Sequence, residues 1–268
     1  MNTPEFETIL LDRPVDGVVV ATLNRPDRLN AQTDTMFREF ERLARALNDD
    51  DDLRVVILTG AGRAFCAGFD LDDAKNLPGL GALGFLHQQE RAARGLHALR
   101  HIRVPLIAAV NGPAAGGGFS LALAADIRIA SPTARFNAAF VKIGLTAGDL
   151  GVSWLLPRLV GPARANEIAF TGAQVDAEEA ERIGLVNKVV PADQLMSECL
   201  AMAELIKANS PGGVQLSKRA IQNNLEVASY AAAIELENRG QALLTRSADM
   251  PEALAAFLEK RPANFTGE

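Results

Sequence analysis

The sequence predicts an α/β protein with a helical C-terminal part. Three observations carry this. Through the first two-thirds of the chain, short runs rich in Val, Ile, Leu and Ala alternate with segments of helical period, and helical patterns alone follow. Two of the apolar runs, Leu53–Thr59 and Leu106–Val110, pass into turns of small residues that are followed by helical patterns. With 268 residues, 48% hydrophobic and 22% charged, the chain has material for one large domain or a domain with an appendage.

Taken in order, Thr8–Leu11 and Val15–Leu23 are strands around an Asp16-Gly17 hairpin signal. Asn24–Ala31 (NRPDRLNA) is a polar loop. A helix capped by Thr33 or Asp34 follows, with Met36, Phe37, Phe40, Leu43 and Leu47 on its apolar side. The acids of Asn48–Asp52 lack the spacing of a calcium loop and are expected to be solvated. Leu53–Thr59 is a buried strand, and Asp72–Gly84, which contains Gly and Pro, is expected to be a mobile loop over a site. A long helix spans Leu86–Arg100, and the stretch after Val110 enters a helix that ends near Ala125.

Asp126–Ala130 and Ala134–Asn137 are short strands. Ile143–Gly161 is a loop entering a helix that Pro157 should bend or end. Helices over Pro162–Phe170 and Asp176–Ile183, a strand over Leu185–Val190 and three further helices complete the chain. No low-complexity linker intervenes, so an α/β core (1–195) and a helical region (196–268) are expected to pack together.

A net charge of −6 argues against a general nucleic-acid binder but allows a small anion held by local arginines. Two cysteines, Cys66 and Cys199, supply neither a disulfide framework nor a Cys-based zinc site, and no metal is expected. The stretch MNTPEFETIL lacks the pattern of a secretory leader, and no apolar run reaches about 18 residues. A cytoplasmic protein with no membrane or nucleic-acid partner is expected.

Chemistry points first to Gly116, Gly117 and Gly118, where the second small-residue turn meets its helix. Glycines let a backbone N–H approach a ligand oxygen, and the helix behind them aims its positive end at the same place. Phe69, after Gly68, offers a similar N–H in the first turn. Two donors on one oxygen form an oxyanion hole, each worth on the order of 3 kcal/mol in a dry site. For either turn alone, tight packing is the competing account. Neither GxxxxGK[ST] nor a GxGxxG opening a βαβ unit is present, which removes a nucleotide phosphate loop.

Several motifs in fixed order then resemble the crotonase (enoyl-CoA hydratase/isomerase) superfamily over nearly the whole chain. They are Asn24-Arg25-Pro26 to Asn30-Ala31, Ala64 to Leu71 (AFCAGFDL), Pro105 to Gly118, Ala124-Ala125-Asp126, Gly144-Leu145, and Glu259 to Phe265 (EKRPANF). The resemblance implies the ClpP/crotonase-like α/β fold of repeated ββα units with a C-terminal helical trimerisation region, in a homotrimer or homohexamer. It implies an acyl-CoA thioester substrate, with coenzyme A entering as part of the substrate and no separate cofactor. The oxyanion donors fall on Phe69 and Gly117, flanked by Gly68 and Gly116. Contacts to coenzyme A fall near Arg25, Leu29, Ala31, Ala67, Asp70 and Leu71, while Phe257 and Lys260 reach the coenzyme A of a neighbouring subunit.

The sequence departs from the hydratase pattern at two places. Ser120 and Phe140 stand where hydratases of this family carry the glutamates that activate water. Asp149, in GLTAGDLGVS, lies within about a residue of a catalytic aspartate in some isomerases and a dehalogenase of the family. It competes with a plain role as N-cap of the helix beginning at Leu150. His87, His97 and His101 have no Ser or Asp at triad spacing and are expected to be structural. The expected function is an acyl-CoA enzyme of the enoyl-CoA hydratase/isomerase type. Its alternatives are an enoyl- or dienoyl-CoA isomerase or acyl-CoA hydrolase using Asp149, and a non-catalytic acyl-CoA-binding homologue.

Overall fold

The computed structural model describes residues 5–268, so the first four residues of MNTPEFETIL lie outside the described residues. The chain begins with a hairpin of β1 (Ile9–Val15) and β2 (Val18–Leu23), followed by α1 (Asp34–Asn48) and β3 (Val55–Gly60). Next come the single turn α2 (Leu71–Ala74), the long α3 (Gly81–Arg100), β4 (Leu106–Val110), the short β5 (Ala114–Ala115) and α4 (Gly117–Ala124). The middle of the chain holds β6 (Ile127–Ala130), β7 (Arg135–Asn137), α5 (Val152–Val160), α6 (Pro162–Thr171), β8 (Val175–Asp176), α7 (Ala177–Arg182) and β9 (Lys188–Val189). Helices α8 (Leu195–Lys207), α9 (Pro211–Asn224), α10 (Tyr230–Leu244) and α11 (Asp249–Glu259) close it.

Six strands form one sheet in the order β1-β2-β3-β4-β6-β9, and β5-β7-β8 form a second. Only β1–β2 is antiparallel in the large sheet. Both faces of that sheet are covered, which is why its central strands read as unbroken apolar runs. Val19, Ala21 and Leu23 of β2, with Val56 and Leu58 of β3, pack on the face shared with Phe37, Phe40 and Leu99. Val18, Val20, Val55, Ile57, Ile107 and Ala109 pack on the opposite face against Leu195, Cys199 and Ala203 of α8. The first of the four C-terminal helices thus covers the outer face of the sheet.

Several expectations change. The first strand continues to Val15, with a register shift between Asp12 and Val15 before the Asp16-Gly17 turn. The expected mobile loop over 72–84 is helical, with a 3-10 turn over Leu77–Leu80 and α3 starting at Gly81. Gly and Pro there sit at helix starts, where a missing N–H or a positive φ costs little. Asp50 is buried and paired with Arg13 rather than solvated. Pro157 lies inside α5, which runs on to Val160 and ends at Gly161, φ +78°. Proline's loss of one backbone bond is tolerated there. The C-terminal part holds four helices, not three. Thr33 is the cap of α1, its Oγ1 accepting the Met36 N–H at 3.2 Å. Among the described residues no helix is long and apolar enough to cross a membrane.

Helix α9 is fastened to the core by a buried ion pair. Lys218 Nζ lies 2.7 Å from Asp126 Oδ2 and donates to the Val104 carbonyl at 2.8 Å, while the same carboxylate oxygen accepts the Leu106 N–H. Removing one partner of such a pair leaves a buried charge and typically costs several kcal/mol. Lys218→Ala is expected to lower unfolding free energy by about 3 kcal/mol in urea titration. A loss within about 0.5 kcal/mol, the range of an ordinary surface substitution, would contradict this account.

Candidate active site

The two small-residue turns are stitched together through their backbones. Cys66 N–H donates to the Pro113 carbonyl at 3.1 Å and Ala115 N–H donates to the Cys66 carbonyl at 3.0 Å. The glycines make this contact possible, each in its own way. A Cβ on Gly118 would overlap the Cys66 carbonyl oxygen, and one on Gly117 would overlap the Gln32 side-chain oxygen. Gly116 adopts φ +51°, ψ −122°, a conformation open to glycine.

A second stitch orients Phe69. Gln32 N–H donates to the Gly68 carbonyl at 2.7 Å and Asp70 N–H to the Gln32 carbonyl at 2.9 Å. In such a parallel bridge the residue between the bonded pair points its own N–H the other way. Phe69 N–H therefore has no acceptor among the described residues, and Gly117 N–H, at the first position of α4, has none either. The two are neighbours, for a Cβ on Gly68 would come within 3.4 Å of the Gly117 nitrogen. Unpaired donors preorganised side by side are suited to stabilising charge on a carbonyl oxygen.

The polar loop before α1 supports both turns. Asn30 donates to the carbonyls of Ala61 (2.9 Å) and Ala64 (2.8 Å) and accepts the Arg25 N–H. Ala67 N–H donates to the Leu29 carbonyl. Leu29 and Asn30 both adopt positive φ, so local strain is held in place by these bonds. Arg25 is paired with Asp70 at 2.9 Å, and Arg28 and Lys75 flank Asp72. Burial pushes the Asp70 carboxyl up, but the Asp72 N–H and then the Arg25 guanidinium hold it below the usual carboxylate range. Leu71 is exposed and Ala31 is buried.

Ser120 is fully buried, and its Oγ donates to the Gly116 carbonyl at 3.3 Å. Phe140 is buried with its ring edge 3.7 Å from a Cβ placed on Gly116. Phe257 and Lys260, at the end of α11, are exposed, and no hydrogen bond joins them to the two turns among the described residues.

Asp149 does not cap α5. Gly151 occupies that position, and the Asp149 carboxylate instead accepts a hydrogen bond from Gln89 Nε2 on α3. Burial pushes its carboxyl up, while Gln89 and the Leu150 N–H pull it partly back. An N-cap would have favoured the ionised form, so the environment is the reverse of the one expected. Leu150 adopts φ +45° and lies 3.6 Å from a Cβ placed on Gly117. Asp149 thus stands one residue from the side chain that touches the donor turn.

Beyond Asp149 opens a groove of about 580 Å³ between α3 and α5, lined in part by Gln89, Leu96, Arg100, Leu150 and Trp154. His97 and His101 line it too and stack on each other, ring centroids 3.9 Å apart. Gln89, Arg100 and Trp154 were not singled out in the sequence. The available signal was the i, i+4 stripe Gln89, Ala93, His97, His101 on one face of a long helix. Among the described residues no group of three or more His, Cys, Asp or Glu is placed to hold a metal ion.

Comparison with known proteins agrees with this architecture. The family described as enoyl-CoA hydratase/isomerase matches residues 14–268. A probable enoyl-CoA hydratase, EchA12 of Mycobacterium tuberculosis, is 44% identical over 266 residues, covering 97% of this chain and 93% of that protein. The 1,2-epoxyphenylacetyl-CoA isomerase of Escherichia coli is 40% identical over 260 residues, covering 97% and 98%. A solved structure of a probable enoyl-CoA hydratase/isomerase from Mycobacterium abscessus superposes with a TM-score of 0.91 at 41% identity, covering 98% of this chain and all of that one.

The raised Asp149 pKa has a signed consequence for stability. A carboxyl with a raised folded pKa destabilises the fold increasingly as pH climbs from the unfolded value, about 3.9, through the folded one. Asp149→Asn is therefore expected to melt above the parent protein at pH 7–8, with the advantage gone below about pH 4. Thermal unfolding at the two pH values checks this. A variant less stable at pH 7, or an advantage independent of pH, would count against it.

Proposed function

The chain belongs to the enoyl-CoA hydratase/isomerase family, and from that membership we propose an acyl-CoA enzyme that moves a double bond by proton transfer through Asp149. The carrying observation is the half-buried Asp149 carboxylate, one residue from the Leu150 side chain that touches the donor turn, with Ser120 and Phe140 where water-activating acids would stand. The thioester oxygen accepts hydrogen bonds from Phe69 N–H and Gly117 N–H. Ionised Asp149 takes a proton from the α carbon of a 3-enoyl thioester, and the electron pair moves onto that oxygen as an enolate. The protonated carboxyl returns the proton to the γ carbon, leaving the conjugated 2-enoyl thioester and the starting carboxylate. Nothing else is consumed. The elevated pKa suits this cycle, because a base titrating nearer the working pH both accepts and returns a proton readily.

Water addition by the two-glutamate route lacks both of its carboxylates, with Ser120, whose hydroxyl donates to the Gly116 carbonyl, and Phe140 in their places. Arg25, Leu29, Ala31, Ala67, Asp70 and Leu71 line the expected path of coenzyme A, with Arg25 and Arg28 as local cations. Family members use the CoA thioester without a separate cofactor. Exposed Tyr230, Leu243, Leu254, Phe257 and Leu258 on α10 and α11 support a homotrimer or homohexamer, in which Phe257 and Lys260 reach a neighbour's coenzyme A. Two buried free thiols suit a cytoplasmic setting.

The test offers a 3-enoyl-CoA and follows the rise of conjugated enoyl absorbance. Turnover is expected to fall by on the order of 10³-fold in Asp149→Asn, with thioester binding retained. Hydration of crotonyl-CoA unaffected by Asp149→Asn would restore the hydratase reading. Binding without turnover on either substrate would favour a non-catalytic acyl-CoA-binding homologue.

A further inference from the structure

The groove beyond Asp149 ends in charge that the proposed proton transfer does not use. Arg100 stands eleven positions after Gln89 on α3, so the groove runs roughly 16 Å from its catalytic end. Its middle is walled by Ala93, Leu96 and Leu155, and its far end by Arg100 and Glu226. Arg100 is half-buried, and its guanidinium makes no hydrogen bond and no ion pair within 4.0 Å among the described residues.

Asp126 and Glu226 act on its charge at longer range, and neither forms an ion pair with it among the described residues. Asp126 is held by Lys218 at 2.7 Å. Arg128, buried behind it, directs donors to the Leu185 and Ala125 carbonyls, and burial pushes its pKa down to about 10, which leaves it charged at neutral pH. Arg94, also on the groove, faces Glu41 at 3.7 Å. Around the far end stand three unmatched or shared cations, Arg100, Arg128 and Lys218, against Asp126 and Glu226, a surplus of one positive charge. His97, pushed down chiefly by burial, adds none at neutral pH.

We infer that this end is a carboxylate subsite, and that the preferred substrate is an acyl-CoA whose chain ends in a carboxylate. A guanidinium fork with its donors unengaged matches a carboxylate in two parallel bonds, and one anion balances the local charge. A methyl-terminated chain would fill the apolar middle and leave Arg100 unpaired. The inference rests on the acyl-CoA reading of the site.

Trp154, the chain's single tryptophan, lies on the groove wall and reports occupancy without turnover. Its fluorescence is titrated with two saturated acyl-CoAs of equal chain length, one ω-carboxylated and one methyl-terminated, with calorimetry in parallel. The parent protein is expected to bind the ω-carboxy thioester about tenfold or more tightly. Arg100→Gln is expected to abolish that preference, and Arg100→Lys to retain part of it. Equal affinities in the parent protein, or a preference that survives Arg100→Gln, overturn the subsite while leaving the acyl-CoA reading intact. If neither thioester nor free coenzyme A binds, the acyl-CoA reading fails and the subsite falls with it.

Discussion

The close approach of two backbone turns is the contact on which the site depends. Gly118 lies against the Cys66 carbonyl, and the Cys66–Ala114 bridge holds β3's turn beside that of β4. No side chain could substitute for this, because the gap admits no Cβ. Around the contact, the strained Leu29–Asn30 loop and Gln32 act as a brace, fixing the direction in which Phe69 presents its N–H. The large sheet, covered on both faces, supplies the rigidity behind the brace. Accuracy of a few tenths of an ångström is thereby obtained from main chain alone, which does not change rotamer.

Much of this was legible in the sequence for a physical reason. Glycine clusters after apolar runs report a steric demand that other residues cannot meet, so Gly68 and Gly116–Gly118 marked the turns. The strand cores and the apolar side of α1 followed from burial periodicity, with Met36, Phe37, Phe40, Leu43 and Leu47 all buried. The misreadings have the opposite character. The segment over 72–84 looked like a loop because Gly and Pro are ambiguous between loops and helix starts. Pro157 was expected to bend or end its helix, and it does not end it, because local propensity says nothing about the packing of the buried Leu155 and Leu156.

Asp149 shows where sequence reading stops. An aspartate just before an apolar helical run is by pattern a cap, and its actual partner, Gln89, lies 60 residues away on another helix. Only tertiary structure brings α3 and the α5 loop together. The same holds for the groove, whose walls come from α3, α4, α5 and the residue after Leu225. The motif residues define the part of the site proposed to handle the thioester. The residues lining the groove are scattered over helix faces and carry no local signature.

Cys66 gives the donor turn a further property. Its thiol is wholly buried beneath that turn, and burial pushes its pKa up to about 12. At neutral pH only about one molecule in 10⁵ carries the thiolate there. A thiolate near a thioester would exchange with it, transferring the acyl group to the protein and releasing free coenzyme A. On the proposed thioester chemistry, burial keeps this sulfur protonated three residues from Phe69, where a thiolate would otherwise compete for the acyl group.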